Sequence, residues 1–289
     1  MNNIVLKILG TAQDGGYPHI GCKKICCKAA WNDHSKKRLI ASIAIIDKKL
    51  KECWIIDSSP DIKFQINMIM DFLNLEDCPK INGIFLTHAH IGHYSGLLEF
   101  GKEAMNSFEV PIYAMPKMND FIKSNNAFNF LIQSSNIKLN TIHHNANLKL
   151  NKNISIEPFL VSHRNEMSET VGYKIFSKKN SIVYLPDIDS WDDPYLDIIE
   201  CVKNNDILIL DGTFYDINEL GVRNILDVPH PTIKDSINRF SMLGMSDRNK
   251  IYFTHFNHTN DVIRDSESRK VLVNEGYNIT NDGDVFYIG

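Results

Sequence analysis

Short apolar runs separated by polar turns recur along the chain, and they predict buried β-strands with helices between them. Apolar residues at helical spacing, such as Ile62, Ile66 and Ile69, predict a helix after the third strand. Residues 124–140 are polar and rich in asparagine, and we favour a surface loop there over a mobile lid. The predicted strands are 4–9, 39–46, 53–56, 84–86, 111–114, 154–161, 181–185, 206–210, 250–253 and segments near 277 and 285–288.

The overall composition is that of a globular protein, and it excludes several classes of function. The 289 residues are 43% hydrophobic and 23% charged with a net charge of −4, which gives no general affinity for nucleic acid or an anionic membrane. The longest nearly apolar run, 39–46, is far shorter than the roughly 20 residues that span a bilayer. We find no repeat, low-complexity tract or linker, and we therefore expect a single domain over residues 1–289.

The distribution of cysteines predicts a metal site rather than disulfide bonds. Cys22, Cys26 and Cys27 lie within six residues of one another, whereas the other three cysteines are scattered. This arrangement is typical of an intracellular protein with a metal cluster, so we expect a cytoplasmic location. The three thiols favour a structural zinc over free buried thiols, and their irregular spacing means that the fourth ligand comes from elsewhere in the sequence.

The strongest chemical signal lies in residues 87–97, where His88, His90 and His93 follow an apolar run. His88 and His90 are two positions apart, so their side chains point to the same side of an extended segment. A helix opened by residues 94–97 would turn His93 back toward them. Three imidazoles that converge at a strand end are typical of a transition-metal site, and we favour this interpretation over surface or core histidines.

Polar residues also follow several other predicted strands, so ligands from distant parts of the sequence would meet at one edge. Such positions hold Asp57, His163, Asp187, Asp211 and His255. Strand ends with helices between them predict two sheets whose common edge forms a single cleft. Asp57 has two interpretations that the sequence leaves equal: it caps the following helix, or it supports a metal-binding histidine.

The order Asp, His-x-His-x-x-His, His, Asp, His resembles the metallo-β-lactamase superfamily over nearly the whole chain. The resemblance implies a layered α/β fold, an αβ/βα four-layer sandwich of two mixed β-sheets flanked by helices. Within the superfamily, residues 9–18, the cysteine cluster and the segments 211–214 and 255–260 are similar to the coenzyme PQQ synthesis protein B family. The first sheet and the cysteine-rich site are also similar to PhnP-type phosphodiesterases.

The resemblance further implies a catalytic metal centre and a structural zinc. The expected ligands are His88, His90 and His163 for a first metal, and His93 and His255 for a second. Asp187 would bridge the two metals, and Asp187, His93 and His255 are the expected catalytic residues. His230 is the expected fourth ligand of the structural zinc on the three clustered cysteines.

One position departs from the usual His-x-His-x-Asp-His motif of the superfamily's hydrolases, because Gly92 stands where the aspartate would be. Glycine supplies no carboxylate, so we expect a weakened or absent second metal. Asp14 and Asp189 are candidate replacements, but the sequence places neither near the site. The protein B family tends to lack part of the His-x-His pair, which is complete here and supports the first metal site.

The function that we expect is a metal-dependent hydrolase that uses a metal-activated water on an ester or phosphodiester-type small molecule. Zinc is the expected metal, with Mn²⁺ or Fe²⁺ as alternatives, and Arg164, His258 and Asp14 are weak candidates for substrate binding. An iron-dependent oxygenase in PQQ-like cofactor biosynthesis and a non-catalytic metal- or ligand-binding protein are the two alternatives. The expected partner is a small-molecule or peptide-derived substrate, with no nucleic acid and no membrane, and a homodimer is left open.

Overall fold

The computed structural model describes residues 3–221 and 228–289, and strands and helices alternate through both segments. The strands are β1 (Ile4–Gly10), β2 (Ser42–Asp47), β3 (Glu52–Ile56), β4 (Ile81–Phe85), β5 (Val110–Ala114), β6 (Ile137–Thr141), β7 (Leu148–Lys149), β8 (Ser155–Val161), β9 (Thr170–Phe176), β10 (Ser181–Leu185), β11 (Ile207–Asp211), β12 (Ile251–Thr254), β13 (Asn278–Ile279) and β14 (Val285–Tyr287). The helices are α1 (Ile25–Asn32), α2 (Ile62–Leu73), α3 (Ile91–Tyr94), α4 (Pro116–Ser124), α5 (Asn126–Gln133), α6 (Ile198–Asn204), α7 (Ile233–Arg239), α8 (Met245–Arg248) and α9 (Glu267–Asn274).

The strands form two sheets of seven, and each sheet has an antiparallel half and a parallel half. The first sheet has the order β14-β1-β2-β3-β4-β5-β6, and the second has the order β13-β12-β11-β10-β9-β8-β7. In the first sheet β3, β4, β5 and β6 are parallel to one another. In the second sheet β10, β11, β12 and β13 are parallel. Both sheets are therefore mixed, as the sequence predicts.

The fold has four layers, two inner sheets and an outer layer of helices on each side. Apolar side chains fill the spaces between them, because the inner strands are buried on both faces. In β1 the side chains of Ile4, Leu6 and Ile8 pack between the sheets, whereas Val5 and Leu9 pack on the helical side. The space between the sheets is filled from both, for example by Phe85 of the first sheet and Tyr173 of the second. Helices cover the two outer faces, so the predicted αβ/βα sandwich is confirmed.

The prediction of a surface loop over residues 124–140 is wrong, because this segment forms α5 and most of β6. The side chain of Asn125 accepts a hydrogen bond from the backbone N–H of Ala127 and so caps α5. Phe128 and Leu131, one helical turn apart, are buried against the first sheet. Tertiary burial of this apolar pair outweighs the polar composition that pointed to a loop.

Most of the other boundaries differ from the predictions by only a few residues. The run 39–46 becomes a strand only from Ser42, because residues 39–41 contact the loop after β1 instead. The turn that brings His93 back begins at Ile91 rather than at Tyr94. Among the described residues, no helix is long and apolar enough to cross a membrane.

Candidate metal centre

Histidine and aspartate side chains from both sheets converge on one cleft, each just beyond the end of a strand. His88 and His90 follow β4, His163 follows β8, Asp187 follows β10 and His255 follows β12. The turn into α3 carries His93 to the same place. Two further side chains arrive from loops, since Asp14 follows β1 and Asp189 follows Asp187. The predicted convergence of these side chains at the common edge of the two sheets is present.

The structure brings His88, His90, His163 and Asp187 together as a first group whose candidate ligand atoms all lie within 4.8 Å of one another. The Nε2 atom of His163 is 3.4 Å from Nδ1 of His90 and 3.6 Å from Oδ1 of Asp187. Ligand atoms about 2.1 Å from a tetrahedral zinc ion lie about 3.4 Å from one another. The separations in this first group therefore match a shared metal ion better than direct hydrogen bonds.

Asp14, His93 and His255 form a second group beside the first. Asp187 lies between the two groups, because its Oδ2 atom is 3.3 Å from Nε2 of His93 and 3.4 Å from Nε2 of His255, while its Oδ1 atom faces His163. Oδ1 of Asp14 is 3.4 Å from the same Nε2 atom of His93. One carboxylate thus serves both groups, which is the bridging position that the resemblance implies for Asp187.

Several buried atoms of this cleft lack a hydrogen-bond partner within the described part of the chain. These atoms are Oδ1 of Asp14, Nε2 of His88, Nε2 of His93, Oδ2 of Asp187 and Nε2 of His255. Buried polar atoms are nearly always paired, since an unpaired one costs about 1–3 kcal/mol. Imidazole nitrogen and carboxylate oxygen are both ligands of zinc, and imidazole also suits iron. The donor set therefore fits two divalent cations.

In four of the five histidines of the two groups, a ring nitrogen lies beside a side-chain oxygen, which fixes the direction of the ring; these are His88, His93, His163 and His255. Asp57 Oδ2 is 2.7 Å from Nδ1 of His93, and Asp189 Oδ1 is 2.9 Å from Nδ1 of His163. Such outer contacts orient metal-binding imidazoles. Of the two interpretations of Asp57, support of a histidine is correct, because the N-cap position of α2 is Asp61. Asp189 likewise supports a histidine rather than replacing the missing carboxylate.

Threonine hydroxyls orient the other two rings in the same way. Thr87 donates to Asp57 and accepts from Nδ1 of His88 at 2.9 Å, so that Nε2 of His88 faces the cleft. Thr213 donates to Asp211 at 2.7 Å and lies 2.9 Å from Nδ1 of His255. Sequence analysis missed both threonines. The signal available in the sequence is that Thr87 closely follows β4 and Thr213 closely follows β11.

Two of the site residues have left-handed backbone conformations at strand ends. Asp57 has φ of 66° after β3, and His255 has φ of 60° after β12. Non-glycine residues in this region store local strain of about 1–3 kcal/mol, and such residues cluster at functional sites. Directly at the end of a buried strand, Asp57 turns its side chain to the back of the His93 ring and His255 turns its side chain into the second group. In both sheets, a residue with left-handed backbone at a strand end therefore presents a polar side chain.

The electrostatics of the cleft favour cation binding by the first group. Burial lowers the pKa of His88 well below its usual value and lowers that of His90 to about 4, so both imidazoles are neutral at physiological pH. Burial would raise the pKa of Asp187, but the imidazoles of His255 and His93 outweigh it and hold this pKa well below the usual range. Neutral imidazoles beside an ionised carboxylate are the protonation states that metal binding requires.

His93 differs from the other rings. Burial alone would lower its pKa, but the carboxylates of Asp57 and Asp187 outweigh burial and raise the pKa well above the ordinary value. For His255 burial prevails and lowers the pKa. A cation in the second group must therefore compete with a proton for His93, whereas His255 offers a free nitrogen.

A third group, away from this cleft, contains Cys22, Cys26, Cys27 and His258. Sγ of Cys22 is 3.6 Å from Sγ of Cys26, and Nδ1 of His258 is 3.5 Å from Sγ of Cys26 and 3.4 Å from Sγ of Cys27. Zinc–sulfur bonds of about 2.3 Å place tetrahedral ligands about 3.5–3.8 Å apart. The predicted cysteine site thus gains its fourth candidate ligand from the loop after β12. The structure thus places His258, a weak candidate for substrate binding, with the cysteines, and its role in substrate binding stays a prediction.

The expectation that His230 completes the cysteine site is wrong. Nδ1 of His230 is 2.6 Å from Oδ2 of Asp211, and its ring centroid lies 5.0 Å from that of His163 and 6.0 Å from that of His255. The segment before α7 therefore places His230 beside the first and second ligand groups. The sequence signal for the fourth candidate ligand was His258, which lies three residues after His255.

Arg164 has a different environment from the one expected for a substrate-binding cation. Its side chain is 42% exposed and forms an ion pair with Glu166, with 3.2 Å between Nε and Oε1. Among the described residues, the Arg164 side chain forms no recorded ion pair with the ligand groups, so a role in substrate binding stays a prediction. Asp14, the third weak candidate for substrate binding, belongs to the second group instead.

The absence of an aspartate at position 92 does not leave this part of the cleft without a carboxylate. Gly92 is buried in α3, and a Cβ atom built on it would lie 2.1 Å from Oδ1 of Asp14. The carboxylate of Asp14 therefore occupies the space beside His93 that a side chain at position 92 would enter. Of the two candidate replacements, Asp14 is therefore the one that lies beside position 92, and the strength of the second metal site stays a prediction.

Two known proteins of the same name are similar to this chain over nearly its whole length. Coenzyme PQQ synthesis protein B of Methylorubrum extorquens is 24% identical over 298 residues, covering 96% of this chain and 97% of that protein. The protein of the same name from Acinetobacter baylyi is 23% identical over 309 residues, covering 97% of this chain and 98% of that protein.

Solved structures share the fold. The zinc-bound PqqB of Methylobacterium extorquens is 22% identical and matches with a TM-score of 0.80, covering 98% of this chain and 99% of that one. A diphosphatase from the PhnP family is 23% identical, with a TM-score of 0.69 over 98% of this chain and 96% of that one. A family model described as the beta-lactamase superfamily domain matches residues 54–256. This match covers more than half of the sequence, and the chain therefore belongs to the beta-lactamase superfamily.

Proposed function

We propose that the protein is a metal-dependent hydrolase that cleaves an ester or phosphodiester-type small molecule. The observation that carries this proposal is the position of Asp187, whose two oxygens face two adjacent groups of candidate metal ligands, in which Nε2 of His88, His93 and His255 is buried and unpaired. Divalent cations bound there would polarise the scissile ester and lower the pKa of water toward ~7, which supplies a nucleophile at neutral pH. Zinc is the cation that we expect, with Mn²⁺ as an alternative.

The residues of the chain contribute orientation and a fixed charge distribution to this reaction. Asp57, Thr87 and Asp189 hold the histidine rings from behind, so that the cleft-facing nitrogens need not reorganise when substrate binds. The ionised carboxylate of Asp187 balances part of the positive charge of two cations. His230 belongs to neither ligand group but lies beside both, and we infer that it positions the substrate.

Similarity to a diphosphatase of the PhnP family is in line with a phosphorus-centred ester as substrate. An iron-dependent oxygenase would be easier to accept with a mononuclear centre, which the glycine at position 92 alone would favour, and the carboxylate of Asp14 beside His93 weakens that one argument for it. With Asp14 beside His93, the second group offers one carboxylate and two imidazoles as candidate ligands of a second cation. The similarity to PQQ synthesis protein B, whose name denotes cofactor synthesis, keeps the oxygenase as the hypothesis to test against.

The test uses purified protein with bis(p-nitrophenyl) phosphate and p-nitrophenyl acetate as probes. We expect turnover that a chelator abolishes and that Zn²⁺ or Mn²⁺ restores under anaerobic conditions. The matched control is His163→Ala, which removes a ring of the first group while Asp189 and the fold remain. Turnover that requires Fe²⁺ and consumes oxygen would support the oxygenase, and bound metal without turnover of either probe would support a non-catalytic protein.

A further inference from the structure

The space beside Gly92 is occupied by a side chain from a different part of the chain. A Cβ atom at position 92 would lie 2.1 Å from Oδ1 and 2.9 Å from Cα of Asp14, distances that real Cβ atoms do not show. Gly92 and Asp14 are 78 residues apart in the sequence and come from α3 and from the loop after β1. A side chain at position 92 and the present position of Asp14 are therefore mutually exclusive.

We propose that Asp14 and Gly92 form an exchanged pair, in which Asp14 supplies the carboxylate ligand of the second metal that position 92 does not supply. The inference rests on the metal centre of the proposed function. It assigns to Asp14 a direct place in that centre, and it explains why position 92 is glycine. An aspartate at position 92 would clash with the carboxylate that already fills the site.

The geometry around Asp14 is that of a ligand rather than that of an ion-pair partner. Its Oδ1 atom is 3.4 Å from Nε2 of His93, whereas a charge-assisted hydrogen bond is about 2.7–2.9 Å long. His93 already makes such a bond through its other nitrogen, 2.7 Å from Asp57. Oδ2 of Asp187 is 3.3 Å from the same Nε2 atom. Equal separations of about 3.4 Å are expected when donors surround a common cation.

The burial of the carboxylate supports the same conclusion. Oδ1 of Asp14 is a buried atom without a hydrogen-bond partner among the described residues, although the side chain as a whole is 23% exposed. Burying an unpaired carboxylate oxygen is costly unless a cation or a donor compensates it. The nearest candidates, Nε2 of His93 and Nε2 of His255, are themselves buried and unpaired. A cation between them would satisfy all three atoms at once.

The backbone of the loop is held firmly enough to place a ligand. On one side of Asp14, the N–H of Gln13 donates to the carbonyl of Phe256 at 2.9 Å, directly after His255. On the other side, the N–H of Gly16 donates to the carbonyl of Gln13 at 2.7 Å and closes a tight turn, with φ of 68° at Gly16. Asp14 is thus tied to the segment that carries its partner ligand, His255.

The experiment counts metal ions in the absence of substrate. Wild-type protein and variants are equilibrated with buffered Zn²⁺ and analysed by elemental analysis, and the affinity for the weakest ion is measured by competition with a chelator. We expect three ions in the wild type, one at the cysteine site and two in the cleft. Asp14→Ala should bind two ions, with the affinity at the second group reduced more than 10-fold, because even outer contacts change metal affinity by about 10–100-fold.

Substitution of Gly92 provides a second, independent test. Gly92→Ala adds only a methyl group, but the methyl displaces the carboxylate of Asp14, so this variant should also bind two ions. The double variant Asp14→Gly with Gly92→Asp should recover the third ion, because the carboxylate returns from the helix. Its new Cβ atom still meets the backbone of residue 14, so the loop must yield by a few tenths of an ångström. Gln13→Ala is the matched loop control and should bind three.

Three results would overturn the exchange. These are a wild type with two ions, Asp14→Ala with three ions and unchanged affinity, or a double variant that stays at two. Retention of the zinc at the cysteine site, together with an unchanged circular dichroism spectrum, shows that each variant is folded. If the ion counts follow the expectation but neither ester probe is cleaved, the hydrolase proposal fails while the role of Asp14 stands.

Discussion

The two metal groups of the cleft contain similar donors but are built in different ways. The first group gathers His88, His90, His163 and Asp187, which follow the ends of β4, β8 and β10. The second gathers Asp14 from the loop after β1, His93 from a short helix and His255 from the end of β12. Every ligand of the first group therefore follows a strand of the two sheets. The second group also depends on a loop and a short helix, whose positions are set by contacts elsewhere in the fold.

Those contacts include the cysteine site. The segment that carries Asp14 continues to Cys22, and the N–H of His19 between them lies 3.4 Å from Sγ of Cys27. The segment that carries His255 continues to His258, a candidate ligand of the same site. The segments that carry Asp14 and His255 thus also carry residues of the cysteine site, whereas the segments of the first group do not. The two groups should therefore respond differently to the same disturbances.

The largest effect should come from the first group. His163→Ala removes the ring that contacts both His90 and Asp187, and it should abolish turnover and lower the metal content by one ion. The loss of activity should exceed the roughly 100-fold that outer contacts produce. Kinetics with a phosphodiester probe and elemental analysis test this prediction. A variant that keeps its full metal content and activity would remove His163 from the centre.

The cysteine site should affect the second group selectively. Cys27→Ser should cost one zinc ion, lower the melting temperature and weaken the second ion of the cleft by roughly 10-fold or more, because the loop of Asp14 loses its anchor. The affinity of the first group should change much less. Chelator competition on both ions measures the difference, and Cys201→Ser, a buried thiol outside the site, is the control. Equal weakening of both ions would contradict the distinction.

The outer carboxylates should affect the two groups to different degrees. Asp57→Asn should weaken the second group by about 10–100-fold through His93, and the first group less, through Thr87 and His88. Asp189→Asn should weaken the first group by about 10–100-fold through His163. Asparagine tolerates the left-handed backbone of position 57, so the fold should survive. Metal affinities of the two variants provide the measurement, and the prediction fails if Asp57→Asn weakens the first ion more than the second.

Acidification should release the second ion before the first. The pKa of His93 is raised by Asp57 and Asp187 against the opposing effect of burial, so protons compete with the cation as soon as the pH falls below that raised value. Below it, affinity should drop about tenfold per pH unit, since one proton is displaced. Burial lowers the pKa of His88 well below its usual value and that of His90 to about 4, so such competition is weaker in the first group. Metal titrations between pH 5 and 8 test this order.

The smallest effect on metal content should come from His230. His230→Gln removes a ring that lies beside both groups but belongs to neither, so the ion count should stay at its wild-type value, including the zinc at the cysteine site. We expect a reduced turnover or a raised KM, because the ring borders the cleft. Loss of one zinc in this variant would instead restore His230 to the cysteine site.

Much of the first group could be predicted from the sequence, because local geometry decides it. His88 and His90 alternate after a buried strand, and the apolar runs before His163 and Asp187 mark further strand ends. The period of a strand fixes which residues share a side, so such ligands are visible in the sequence order. The same applies to the three clustered cysteines, whose spacing is local.

The tertiary structure alone decided the remaining partners. Asp14 reaches Gly92 across 78 residues, His258 rather than His230 reaches the cysteines, and Asp57 supports a ring instead of capping a helix. Each of these outcomes depends on where a loop lies after two sheets have packed together. Spacing along the sequence fixes only the local direction of a side chain. Which loops meet is determined by the packing of the sheets and by the backbone hydrogen bonds that hold those loops in place.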